Sequence, residues 1–89
     1  MLICKKCLVT GCVQGVFYRA SSQTQAKKLG VTGYAKNLPD GRVELLVCGT
    51  TEKVELFCIW LWTGSSHSSV VDVQCESVKT VPPDYFSTA

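Results

Sequence analysis

Helical and extended apolar spacings alternate along this chain, and that alternation limits its fold more tightly than any composition figure. Residues 3 to 10 (ICKKCLVT) are apolar and β-branched enough for a strand, although Lys5 and Lys6 break strict alternation. From Tyr18 to Leu29, the positions Tyr18, Ser22, Ala26 and Leu29 share one helical face, and Gly30 stands where a left-handed residue ends a helix. Residues 31 to 37 (VTGYAKN) and 42 to 48 (RVELLVC) flank Leu38-Pro39-Asp40-Gly41, whose Pro-Asp-Gly chemistry pre-sets a tight reversal, so the two runs predict a β-hairpin. Thr50 or Thr51 then caps a second helix, Glu52 suits its positive N-terminal end, and Val54, Phe57, Cys58 and Leu61 recur at helical spacing before Gly64. Beyond the Ser-rich loop 65 to 69, Val71, Val73 and Cys75 alternate with Asp72, Gln74 and Glu76 as a half-buried strand, and Tyr85 to Ala89 offer a short edge.

The order β-α-β-β-α-β predicts an α+β protein, a ferredoxin-like split βαβ sandwich with two helices on one face of an antiparallel sheet. Eighty-nine residues suit one domain, 1–89. Hydrophobic residues are 46% and charged residues 18%, enough apolar surface to offset the entropy of ordering the chain. A domain this small buries only a little over ~60% of its extended-chain surface and has little room for a deep cavity, so any site should be shallow and built on backbone.

Nine Lys and Arg against seven Asp and Glu leave +2, too small and scattered for a nucleic-acid backbone. No run approaches the ~18 apolar residues of a membrane span, and two lysines interrupt the first dozen residues, MLICKKCLVTGC. The expectation is a cytoplasmic chain with its six cysteines reduced, bound neither to membrane nor to nucleic acid. Cys4 and Cys7 lie three apart on a strand and so point to opposite faces, which argues against a shared metal; no metal or cofactor is assigned. In this sheet order Cys4 lies opposite Cys48, so that pair, and not Cys4 with Cys7, should bridge if any oxidises.

Between the first strand and the first helix runs Gly11-Cys12-Val13-Gln14-Gly15-Val16-Phe17-Tyr18-Arg19. Amides at a helix N-terminus lack intrahelical partners and carry partial positive charge, so a glycine-bearing loop that curls into a helix can hold an anion, a phosphate above all. Arg19 adds a planar fork of donors that matches phosphate oxygens in pairs. Neither the P-loop nor the dinucleotide fingerprint is present. Asn37, taken alone, reads as a strand-end residue bonding its own backbone, and His67 as an exposed loop residue without a role.

This segment resembles the acylphosphatase signature G-x-V-Q-G-V-x-F-R, with Tyr18 in place of the usual Phe. Gly33-Tyr34-Ala35-Lys36-Asn37-Leu38-Pro39-Asp40-Gly41-Arg42-Val43-Glu44 resembles the family's second signature, G-x-V-x-N-x-x-D-G-x-V-E. The likeness runs from about residue 3 to 78. It implies hydrolysis of a small-molecule acyl phosphate to carboxylate and phosphate without metal. Arg19 would bind phosphate, Asn37 would position water, and the amides of Gln14, Gly15, Val16, Phe17, Tyr18 and Arg19 would form the cradle. A non-catalytic phosphate- or acyl-phosphate-binding interaction module is the rival reading, against which the intact Arg19 and Asn37 argue.

Three features depart from a plain member of that family. The chain ends Tyr85-Phe86-Ser87-Thr88-Ala89, short of the family's Phe-x-Ile-Arg ending, which predicts a weakened last edge strand. Phe17 fills a loop position often small in relatives, and Tyr18 brings a hydroxyl that must find an acceptor. Leu56, Ile59 and Trp62 fall on the second helix away from its core face, a stripe suited to self-association or a protein partner.

Overall fold

A computed structural model describes residues 2–88. Along the chain run β1 (Leu2–Cys12), α1 (Tyr18–Leu29), β2 (Thr32–Asn37), β3 (Val43–Thr50), α2 (Thr51–Thr63), β4 (Ser69–Val78) and β5 (Phe86–Thr88). The strands lie in the order β4-β1-β3-β2-β5. This is the expected βαββαβ frame with both helices on one face. At the centre, β3 is buried without a break from Val43 to Cys48, and apart from Glu44 its sequence there is apolar.

The sheet is mixed, not wholly antiparallel. β1 pairs antiparallel with β3 and β4, and β2 with β3, but β5 lies parallel to β2. The chain reverses after β4 before reaching the opposite edge, so β5 runs against β4 and therefore along β2. The short C-terminus still closes that edge: Phe86 is buried, its ring 5.7 Å from Phe57, and its carbonyl accepts a hydrogen bond from Gln23 Nε2 at 3.0 Å. Ala89, included in the expected edge, lies outside the described residues. Phe86→Ala should cost about 3 kcal/mol in a urea-unfolding measurement, the low end for a buried aromatic because the chain end can relax.

β4 corrects a second expectation. Its pairing with β1 slips between Thr10 and Gly11, so that Asp72 faces Thr10 and Val70 faces Gly11. Val71 is the extra residue of this bulge and turns outward, 71% exposed, while Val70 and Val73 pack on the core. A strict period of two cannot anticipate that inserted residue. Gly11 belongs to the same device: a Cβ there would sit 2.2 Å from the Ser69 carbonyl oxygen.

The main core lies between sheet and helices and includes Cys7, Val9, Tyr18, Leu45, Phe57 and Leu61. Cys4, Leu46 and Cys48 make a smaller cluster on the other sheet face, so Cys4 and Cys7 do point opposite ways. Two disulfides, Cys4–Cys48 and Cys7–Cys75, replace the free thiols expected from the sequence. Each joins directly opposed residues of antiparallel neighbours, with Cα atoms 4.1 and 4.0 Å apart. The second could not be foreseen without the β1–β4 register. On α2, Thr50 occupies the N-cap but its hydroxyl makes no capping bond, and Leu56, Ile59 and Trp62 are exposed as the helical wheel requires.

Candidate functional site

The register places the site before any side chain is considered. β1 runs antiparallel to β3, with Val9 opposite Val43, and Asn37 at the end of β2 is also opposite Val43. The loop that leaves β1 after Cys12 and the hairpin turn that follows Asn37 therefore emerge at the same end of the sheet. Gln14 joins them: its side-chain amide donates to the Leu38 carbonyl at 2.8 Å and to the Arg42 carbonyl at 3.0 Å. The family resemblance implies only a backbone role for Gln14; its side chain bridges loop and hairpin.

The loop curls through two left-handed residues. Gly15 has φ 72°, and Phe17, the N-cap of α1, has φ 62°, which among the described residues no other non-glycine residue matches in sign. A bulky residue in that conformation costs ~1–2 kcal/mol, and such cost tends to be retained where it aims backbone groups at a ligand. The Phe17 ring is 75% exposed, so its backbone carries the conformation while its side chain fills no core space. Val13, Gly15, Phe17, Tyr18, Arg19 and Ala20 line an open hollow of about 260 Å³. Its lining includes the first residues of α1, whose amides have no earlier helical carbonyl to donate to. The first turn carries no acidic residue, and Arg19 is its second residue, so nothing in that turn opposes an anion.

The segment after α2 braces this loop. Ser65, itself buried, donates its hydroxyl to the Val16 carbonyl at 2.6 Å, and Ser68 donates to the Ser65 carbonyl at 2.7 Å. Tyr18 is buried beneath α2, with its ring 5.9 Å from Trp60 and its hydroxyl donating to the Leu61 carbonyl at 2.7 Å. That carbonyl lies in the last turn of α2, where no later helical amide reaches it, so the extra oxygen of Tyr18 satisfies a group that Phe would leave bare. Gly64 makes the arrangement possible: a Cβ there would stand 2.5 Å from the Tyr18 ring.

Tyr18→Phe should therefore destabilise the protein by about 1–2 kcal/mol in urea unfolding near neutral pH. Burial pushes the Tyr18 phenol well above its ordinary value, and Tyr34 is pushed up to about 12 by burial and then by its bond to Glu44. Both phenols stay protonated in the folded protein at a pH where the unfolded chain has lost those protons. Their contribution is complete below pH ~10 and falls as pH rises beyond it. The fall should be shallower in Tyr18→Phe.

Asn37 is exposed at the sheet end. Beyond it the turn is held by its own bonds: Leu38 N–H donates to the Arg42 carbonyl at 2.8 Å, and Arg42 Nε lies 2.7 Å from Asp40 Oδ2. The hairpin is thus a firm mount for the strand-end amide. Glu44 belongs to the other sheet face, where the Tyr34 hydroxyl donates to it at 2.7 Å and Lys6 and Lys36 stand 3.5 and 3.3 Å away. Burial pushes its carboxyl upward, but the Tyr34 bond and the two lysines outweigh that and hold it below the usual range.

Of the loop residues, the structure places Gly15, Phe17, Tyr18 and Arg19 around one hollow, while Val16 packs against the core and the Gln14 side chain turns to Asn37's hairpin. It leaves His67 exposed on the loop after α2. Sequence reasoning gave Gly64 only as a helix end and missed Ser65, because a Ser-rich stretch between elements reads as a connector; the acceptor that the Tyr18 hydroxyl required is the Leu61 carbonyl.

The acylphosphatase family model matches residues 5–88. The acylphosphatase of Chromohalobacter salexigens is 52% identical over 83 residues, 93% of this chain and 92% of that protein. The solved structure of an acylphosphatase from Coxiella burnetii superposes with a TM-score of 0.94 at 35% identity, covering 99% of this chain and 93% of that one. The acylphosphatase from Bacillus subtilis gives 0.92 at 33%, covering 100% and 99%.

Proposed function

The chain belongs to the acylphosphatase family, and from that premise we propose that it hydrolyses the carboxyl–phosphate bond of small acyl phosphates, with phosphate held by Arg19 and the 14–19 loop and water oriented by Asn37. The observation that carries this reading is the Gln14 bridge, which fixes a curled anion loop against the hairpin that bears Asn37. The α1 amides and the Arg19 guanidinium bind the phosphoryl oxygens and take up charge as it develops there. Water held by the Asn37 amide attacks phosphorus in line with the leaving oxygen. The bond from phosphorus to the acyl oxygen breaks, the carboxylate departs with the electron pair, and the water's proton passes to a phosphate oxygen.

A carboxylate leaving group, with a pKa near ~4, needs neither a general acid nor a metal to depart, and the reading assigns neither. Phosphate release from benzoyl phosphate tests it: turnover unchanged by a metal chelator supports the reading, and phosphate binding without turnover overturns it. A comparison of acetyl, carbamoyl and bisphosphoglycerate substrates then ranks the acyl groups.

A further inference from the structure

Cys7, Cys58 and Cys75 bring three sulfur atoms within 4.8 Å of one another between α2 and the sheet. Cys7 and Cys75 face each other across β1 and β4 and are bridged, and the free Cys58 on α2 holds its Sγ 3.8 Å from Cys7 Sγ. Two metal–sulfur bonds of ~2.3 Å at a tetrahedral angle set their sulfurs ~3.8 Å apart, so Cys58 already stands at ligand spacing from Cys7. Opening the bridge leaves three sulfur donors from three elements, and an all-sulfur set selects thiophilic d10 cations over Mg²⁺ or Ca²⁺. Cys58 and Cys75 also border an open hollow with Ile59, Trp62 and Val73, which gives an ion a way in from solvent. A chain kept in a reducing compartment would hold the three sulfurs as thiols.

We propose that Cys7, Cys58 and Cys75, once reduced, bind a thiophilic d10 cation, Zn²⁺ or Cu⁺, at a site distinct from the anion loop. Cys7 is five residues, ~17 Å of strand, before the end of β1 where that loop begins. A dithiol reductant supplies two electrons and two protons to the Cys7–Cys75 bond and leaves as its own disulfide. The cation then displaces three thiol protons and forms three metal–sulfur bonds, with water completing the tetrahedron for Zn²⁺. The bound ion clamps α2 to β1 and β4, and disulfide and metal exclude each other because they use the same two sulfurs.

The test titrates the reduced full chain, without oxygen, with Zn²⁺ or Cu⁺ against a chromophoric chelator. The expected result is one equivalent of at least one of the two ions per chain, with three sulfur neighbours at ~2.3 Å by X-ray absorption. Cys58→Ser and Cys75→Ser, each with wild-type circular dichroism, should weaken binding by ~10²-fold or more, since losing a ligand costs at least as much as losing its supporting shell. Cys4→Ser/Cys48→Ser should retain the full equivalent. Binding of neither ion, retention by Cys58→Ser, loss in Cys4→Ser/Cys48→Ser, or equal binding by the oxidised chain would each overturn the proposal.

Discussion

Arg19→Ala should lower kcat/KM for benzoyl phosphate by ~10²–10⁴-fold and weaken inhibition by inorganic phosphate while the far-ultraviolet circular dichroism stays that of the parent. A guanidinium gripping two phosphoryl oxygens supplies two charge-assisted hydrogen bonds of about 1.5–3 kcal/mol each, and every ~1.4 kcal/mol lost is tenfold in rate. The loop amides survive the substitution and keep the remainder. Arg19→Lys should recover little, because an ammonium is a point charge that cannot engage two oxygens in one plane. Near-parental kcat/KM in Arg19→Ala would remove this residue from the site.

Asn37→Ala should lower kcat by ~10²-fold or more and leave phosphate inhibition within a factor of ~3. Holding water in line is a contribution made to the displacement and hardly at all to the bound anion, and misplacing a reactant by ~1 Å already costs about 10²-fold. The substitution is structurally mild: the side chain is exposed, and the Leu38 to Arg42 bonds hold the turn without it. If phosphate inhibition weakens in proportion to kcat, Asn37 binds the anion instead of orienting water.

Much of this site was legible because it is local in sequence. Part of the curl of the loop is written in Gly15, though its second left-handed residue, Phe17, carries no such signal; the second helical position of Arg19 is written in the Tyr18–Leu29 periodicity, and the strand-end position of Asn37 in the Pro-Asp-Gly turn. The exposure of Leu56, Ile59 and Trp62 follows from the helical wheel alone. What was not legible depends on residues far apart in the chain. Ser65 reaches Val16 across 49 positions, Tyr18 reaches Leu61 across 43, and Gln14 reaches Arg42 across 28. No periodicity carries that information, since each bond exists only after the layers have packed.

By itself the sequence determined the element order, the core face of each helix and the position of the loop between β1 and α1, because 3.6-residue and two-residue spacings and turn chemistry act within a few residues. It also determined that Cys4 and Cys7 part company across the sheet, because alternate strand residues must. Tertiary structure alone decided the parallel edge strand, the bulge that turns Val71 outward, and the meeting of Cys7, Cys58 and Cys75. Each of these is fixed by register between elements, and register is set by how whole faces pack, a sum over contacts that no single stretch of chain contains.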